Sequence, residues 1–128
     1  MNSLYSVGIT GLGSCVPDNV VTNDDLSKIV DTSDEWIRTR TGIRQRRIAD
    51  KNTATSDLCT EAAKKAMKDA QIDSKDIDLI LIATVTPDMA FPSTPVLVQK
   101  NIGADTAAVF DISVVGSGFL YGLAVGSN

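Results

Sequence analysis

Histidine is absent from the 128 residues, cysteine occurs twice, tryptophan once, and aromatic side chains together make up only 5%. Without imidazole, a zinc-type site would have to rely on carboxylates. Cys15 and Cys59 stand too far apart for ligand spacing, so no metal is expected. Both cysteines read instead as small buried hydrophobes, Cys15 at a glycine-rich strand end and Cys59 on the apolar side of a helix. No apolar run is long enough to span a bilayer, and the N-terminus lacks the basic start and hydrophobic stretch of a secretory signal. A cytoplasmic protein with no membrane partner is expected. The net charge of −4 disfavours nonspecific attraction to nucleic acid. With 43% hydrophobic and 22% charged residues, the chain suits one soluble domain over 1–128, or a piece of something larger.

Arginine is concentrated rather than scarce. All five, Arg38, Arg40, Arg44, Arg46 and Arg47, fall within ten residues, beginning two positions after Trp36. A flat indole beside guanidinium forks can stack on a base and hold phosphates, which points to an anionic, nucleotide-bearing ligand. The plain alternative is that these arginines pair with Asp34, Glu35 and Asp50 on a solvated surface.

Local signals order the rest of the chain. Ser6 to Val16, with three glycines, predicts a strand closely approached by another element. Asn23 or Asp24 is expected to cap a short helix through Ile29. Ser33 or Asp34 caps a second helix, which Gly42 stops in a left-handed conformation and on which Trp36 and Arg40, four apart, share a face. Ile43 to Ile48 reads as a short strand. Thr55 to Gln71 is an amphipathic helix whose apolar side carries Leu58, Cys59, Ala62, Ala63, Ala66, Met67 and Ala70. Ser74 to Asp78 is a turn of helix or a loop, and Leu79 to Val85 a strand buried on both faces. After the loop 86–93, Pro95 opens a helix ending at Gly103, and Thr106 to Ile112 is again a strand. The alternation predicts an α/β layered fold with at least partly parallel pairing, a mixed sheet and covering helices. Gly8-Ile-Thr-Gly11-Leu-Gly13 lacks the spacing of a dinucleotide loop.

The last strand runs through Phe110-Asp-Ile-Ser-Val-Val-Gly-Ser-Gly-Phe119 into an almost uncharged helix. A residue at such a turn sits where backbone N–H groups stabilise a thiolate or an oxyanion. Together with 31–44, 83–88, 90–93 and 117–123, these residues resemble the N-terminal part of β-ketoacyl-acyl-carrier-protein synthase III, a thiolase-like condensing enzyme family. The resemblance implies an α/β half of an αβαβα fold. It also implies a parent that condenses acetyl-CoA with malonyl-acyl-carrier protein, with acyl-CoA and acyl-carrier protein as partners and no tightly bound cofactor. At matching positions it implies that Trp36 stacks on the adenine of coenzyme A, Thr32 hydrogen-bonds nearby and Arg40 holds the phosphate-bearing part. Phe91 would reach across a homodimer into the partner's acyl pocket.

The chain departs from that family at Gly116, which stands where the acyl-accepting cysteine belongs. A glycine N–H can still donate to a thioester carbonyl, but no thioester can form there. Ser117 is no substitute, because one residue along a helix turns the side chain by about 100°. The family's catalytic histidine and asparagine lie in a second half beyond Asn128. Condensation by this chain alone is therefore not expected. An alternative is a non-catalytic module that binds coenzyme A or acyl-thioesters. Phe119, Leu120, Leu123 and Val125 are expected to form an apolar face that drives oligomerisation.

Overall fold

A computed structural model describes residues 7–127. The chain forms two compact units, one of Val16–Thr53 and one of Ala54 onward together with the residues before Val16.

In the smaller unit, β1 (Val20–Thr22) pairs antiparallel with β2 (Gln45–Arg47), Val21 opposite Arg46. Between them lie α1 (Asn23–Ser27) and α2 (Asp34–Thr41). The cap of α1 is Thr22, not Asn23 or Asp24. Its hydroxyl accepts from the Asp25 N–H at 3.1 Å and the Asp25 carboxylate accepts from the Thr22 N–H at 3.1 Å. Asn23 is unavailable for capping because its amide is buried in bonds to later segments. The helix ends at Ser27 rather than Ile29. For α2 both expected signals hold. The Ser33 hydroxyl accepts from the Trp36 N–H at 3.1 Å, and Gly42, at φ 73°, closes the helix by donating to Arg38 O at 2.9 Å.

The larger unit runs α3 (Thr55–Ala70), a 3₁₀ turn (Ser74–Asp76), β3 (Leu79–Ala83), α4 (Thr94–Ile102), β4 (Ala108–Ile112), a second 3₁₀ turn (Val115–Ser117) and α5 (Gly118–Gly126). The strands β3 and β4 pair in parallel, Leu79 opposite Ala108 through Ala83 opposite Ile112, with α4 as the crossover. Pro95 sits in the first turn of α4 and Gly103, at φ 72°, ends it. Val98, Ala104 and Ala107 are buried with Ile82. The opposite face of β3 carries Leu81 and Ala83, and α5 lies against it. A Cβ on Gly118 would stand 2.9 Å from the Ala83 Cβ, so this helix start approaches the strand only as glycine.

Two further expectations fail. Residues 7–16 form no strand; Ser6 lies outside the described residues. The segment is held through side chains of α3, with the Leu12 N–H donating to Asp69 at 2.9 Å and Lys65 Nζ to Ser14 O at 2.8 Å. Its glycines do serve close approach, since a Cβ on Gly11 would lie 2.5 Å from Ala66 O. Leu79–Val85 shortens to Leu79–Ala83 and is not buried on both faces. Only Ile82 is buried, and a groove of about 620 Å³, lined by Cys59, Ala62, Ile80, Leu81, Phe119 and Gly122, remains open beside it. Cys59 and Cys15 are half-buried, and both are free.

The titrating groups define the pH response. The Lys28 ammonium, with Thr22, holds the Asp25 carboxyl well below its ordinary 3.8. Lys64 lowers Glu61 from 4.5, and the Asn52 N–H and Thr53 hydroxyl lower Asp50 from 3.8. A lowered folded-state value adds stability above the unfolded value and loses it as pH falls through the folded one. Burial raises the Cys59 thiol above its ordinary 9.0, so its contribution is complete below that value and lost as pH rises past it. With no histidine, the urea midpoint is expected to stay flat from about pH 5 to about pH 8. Below that range the decline is expected to be shallow, because the carboxylates are solvent-screened. A steep step between pH 6 and 7 would contradict this assignment.

Candidate functional site

The first candidate site lies on α2. Four residues apart, Trp36 and Arg40 fall one helical turn from each other, and the Arg40 guanidinium lies 4.5 Å from the indole centroid. Trp36 remains 53% exposed, enough surface to receive a second planar group. Thr32 is half-buried immediately before the Ser33 cap.

The remaining arginines divide by local geometry. Arg38 pairs with Asp34 at 3.3 Å, the plain surface reading realised at this one position. Arg46 donates to Val21 O at 3.2 Å and to Asn23 Oδ1 at 2.8 Å, and Arg47 donates to the carbonyls of Pro17 and Asp18, both at 3.1 Å. These two hold the smaller unit together. Glu35 and Asp50 form no ion pair with arginine among the described residues, and Asp50 instead accepts from the Asn52 N–H at 2.9 Å. The Arg44 guanidinium makes no hydrogen bond or ion pair among the described residues. Of the five arginines, Arg40 and Arg44 are therefore the two whose guanidinium groups make no hydrogen bond or ion pair among the described residues.

In the larger unit, the 3₁₀ turn Val115–Ser117 leads from β4 directly into α5, so Gly116 does sit at a helical start. No atom lies within 4 Å of a Cβ built on Gly116, so a side chain there has room. Val115, a β-branched residue at φ 49°, carries the strain of the turn. The Ser117 hydroxyl donates to Val114 O at 3.0 Å, which keeps it occupied locally.

Phe91 projects from the loop 84–93 and is 89% exposed. The base of that loop is fixed by residues that sequence reasoning missed. The Asp88 carboxylate accepts from the Ser56 N–H at 2.9 Å and from the buried Ser56 hydroxyl, the Asp88 N–H donates to Thr94 Oγ at 3.2 Å, and Thr55 Oγ donates to Thr86 O at 2.7 Å. The available signal was hydroxyl residues at the starts of two helices, but their partner lies 32 positions away from Ser56. Replacing Asp88 with alanine leaves the Ser56 donors unsatisfied, and a loss of about 2–4 kcal/mol is expected in urea unfolding. A loss within the error of the extrapolation would show that the loop is held otherwise.

No protein-family model matches the chain. It is 62% identical over 120 residues to beta-ketoacyl-acyl-carrier-protein synthase III of Caldanaerobacter subterraneus subsp. tengcongensis, covering 94% of this chain and 36% of that protein. It is 59% identical over 118 residues to the synthase III 1 of Bacillus anthracis, covering 92% and 38%. Among solved structures, 3-oxoacyl-acyl-carrier-protein synthase III of Aquifex aeolicus VF5 matches with a TM-score of 0.90 at 50% identity, over 94% of this chain and 39% of that one. The priming beta-ketosynthase of the R1128 polyketide pathway matches with a TM-score of 0.89 at 34% identity, over 93% and 36%. The chain thus spans little more than a third of the length of the curated relatives it matches. In sequence and in its thiolase-like α/β fold, the chain matches the N-terminal portion of these β-ketoacyl-acyl-carrier-protein synthase III relatives.

Proposed function

We propose that this chain binds the nucleotide end of coenzyme A through Trp36, Arg40 and Thr32 and performs no acyl transfer by itself. Trp36 offers a face to the adenine, Arg40 a fixed cation to the phosphates, and Thr32 a hydroxyl beside them. The observation that carries the reading is the Arg40 guanidinium held 4.5 Å from the indole centroid on an exposed helix face. The whole enzyme in this reading is a cytoplasmic homodimer of fatty-acid synthesis. It condenses acetyl-CoA with malonyl-acyl-carrier protein, and Phe91 lines the partner's acyl pocket.

In such a reaction a thiolate attacks the acetyl thioester carbon, the bond to sulfur of coenzyme A breaks, and the coenzyme leaves as a thiolate that takes up the proton the attacking thiol gave up. Gly116 supplies neither the sulfur nor a proton to pass on, so this chain retains recognition without the covalent step. That observation also favours a second reading, a non-catalytic module for coenzyme A or acyl-thioesters. Titration with coenzyme A is expected to quench Trp36 emission with weak affinity. By calorimetry, Arg40→Ala is expected to weaken binding about tenfold. Absence of heat and of any fluorescence change at about millimolar ligand, the weak limit of specific recognition, would refute both readings.

A further inference from the structure

We propose that Asn23 is the positioning residue of the Trp36–Arg40 pair, holding α2 wound through its buried amide. An eight-residue helix is too short to persist on its own hydrogen bonds, so α2 depends on anchors outside itself. Asn23 supplies them from another helix. Its side chain is buried in a unit where most large side chains are partly exposed, and its residue exposure is 1%. One Nδ2 hydrogen goes to Asp34 Oδ1, in the first turn of α2, at 2.8 Å, and the other to Ile43 O, one residue past the Gly42 stop, at 2.8 Å. A single amide thus ties down both ends of the helix that carries Trp36 and Arg40. Its Oδ1 accepts from Arg46 Nη2 at 2.8 Å, and Arg46 also donates to Val21 O at 3.2 Å, which anchors the amide to the strand pair. The Asn23 N–H donates to Arg44 O at 3.3 Å, closing the same corner through the backbone. Arg46, read from sequence as a candidate ligand cation, serves this hub instead.

Loss of the amide is expected to fray α2 and let the guanidinium drift from the indole, although Asn23 lies on a different helix from both. Trp36 is the only tryptophan, so its emission, iodide quenching and near-ultraviolet dichroism report the pair directly. In the full chain, Asn23→Ala should reproduce most of the spectral change caused by Arg40→Ala. In the Arg40→Ala background it should add little. A folded Asn23→Ala chain with wild-type Trp36 signals, or changes that simply add, would overturn the proposal. If Asn23→Ala does not fold, Asp34→Ala takes its place with Arg38→Ala as control, since Arg38 shares only the surface ion pair with Asp34. Asp34→Ala should then shift the Trp36 signals and Arg38→Ala should not; no shift, or equal shifts, overturns the proposal. The affinity arm rests on the coenzyme A reading: Asn23→Ala should weaken coenzyme A binding about tenfold. If the unsubstituted chain binds no coenzyme A, that reading fails while the spectral cycle still decides the role of Asn23.

Discussion

Incubation with radiolabelled acetyl-CoA is expected to leave this chain unlabelled, and Gly116→Cys is expected to change that from nothing to measurable self-acylation. The difference is one atom's chemistry at a prepared position. A built Cβ at 116 meets no atom within 4 Å, so a cysteine enters without displacing its surroundings. The position lies in the 3₁₀ turn that runs straight into α5, where the helix dipole lowers a thiol's pKa and favours the nucleophilic thiolate. The thiolate would attack the acetyl carbon and expel coenzyme A as its own thiolate, which takes up the proton the cysteine released. Labelling should be slow and should stop at one acetyl group per chain. No imidazole exists in the sequence to polarise a second thioester, so turnover with malonyl-acyl-carrier protein should be absent. Label on the unsubstituted chain would mean that Ser117, Cys15 or Cys59 acts as acceptor, and mass mapping would identify which. Sustained product from Gly116→Cys would overturn the argument that the missing imidazole is limiting.

What could be read from the sequence was whatever chemistry acts over a few residues. Ser33 and Gly42 frame α2 because a hydroxyl cap and a left-handed stop are local events, and the same locality put Trp36 and Arg40 on one face. The apolar stripe of α3 followed from periodicity, and parallel pairing such as that of β3 with β4 from the alternation of strands with helices. Long-range hydrogen bonds were not legible. Asn23 looked like a cap, yet its amide is claimed by Asp34, Ile43 and Arg46, which left capping to Thr22. The β-branched, glycine-punctuated stretch before Pro17 had strand composition, but a strand exists only with a partner. Among the described residues this one lies on α3 through side-chain bonds instead. The five arginines looked equivalent in sequence. Only placement on the helix or the strand separated Arg40, stacked on an indole, from Arg46 and Arg47, spent on backbone carbonyls and Asn23.

Sedimentation of this chain is expected to show concentration-dependent self-association over roughly 1–100 μM, the range typical of modest apolar interfaces. The cause is the outer side of α5. Gly118 and Gly122 turn toward β3, which directs Phe119 and Leu120 outward at 69% and 70% exposure, in a stretch from Ile112 to Ser127 without a single charge. Val7 and Ile9, each 66% exposed, border the same helix across a shallow groove shared with Leu123 and Ala124. An aromatic side chain can bury about 150–250 Å², so Phe119 with three aliphatic neighbours exceeds the few hundred Å² of contiguous apolar surface that monomers usually leave in water. Charge should undo the association without disturbing the fold, because neither Leu120 nor Ile9 is buried in the unit that carries it. Leu120→Lys together with Ile9→Lys should raise the dissociation constant at least tenfold, roughly the loss of one large apolar contact per partner. The urea midpoint should move little. A monomer at every concentration before substitution would mean that this face is satisfied within a single chain, and the exposure of α5 would then be the feature to discard.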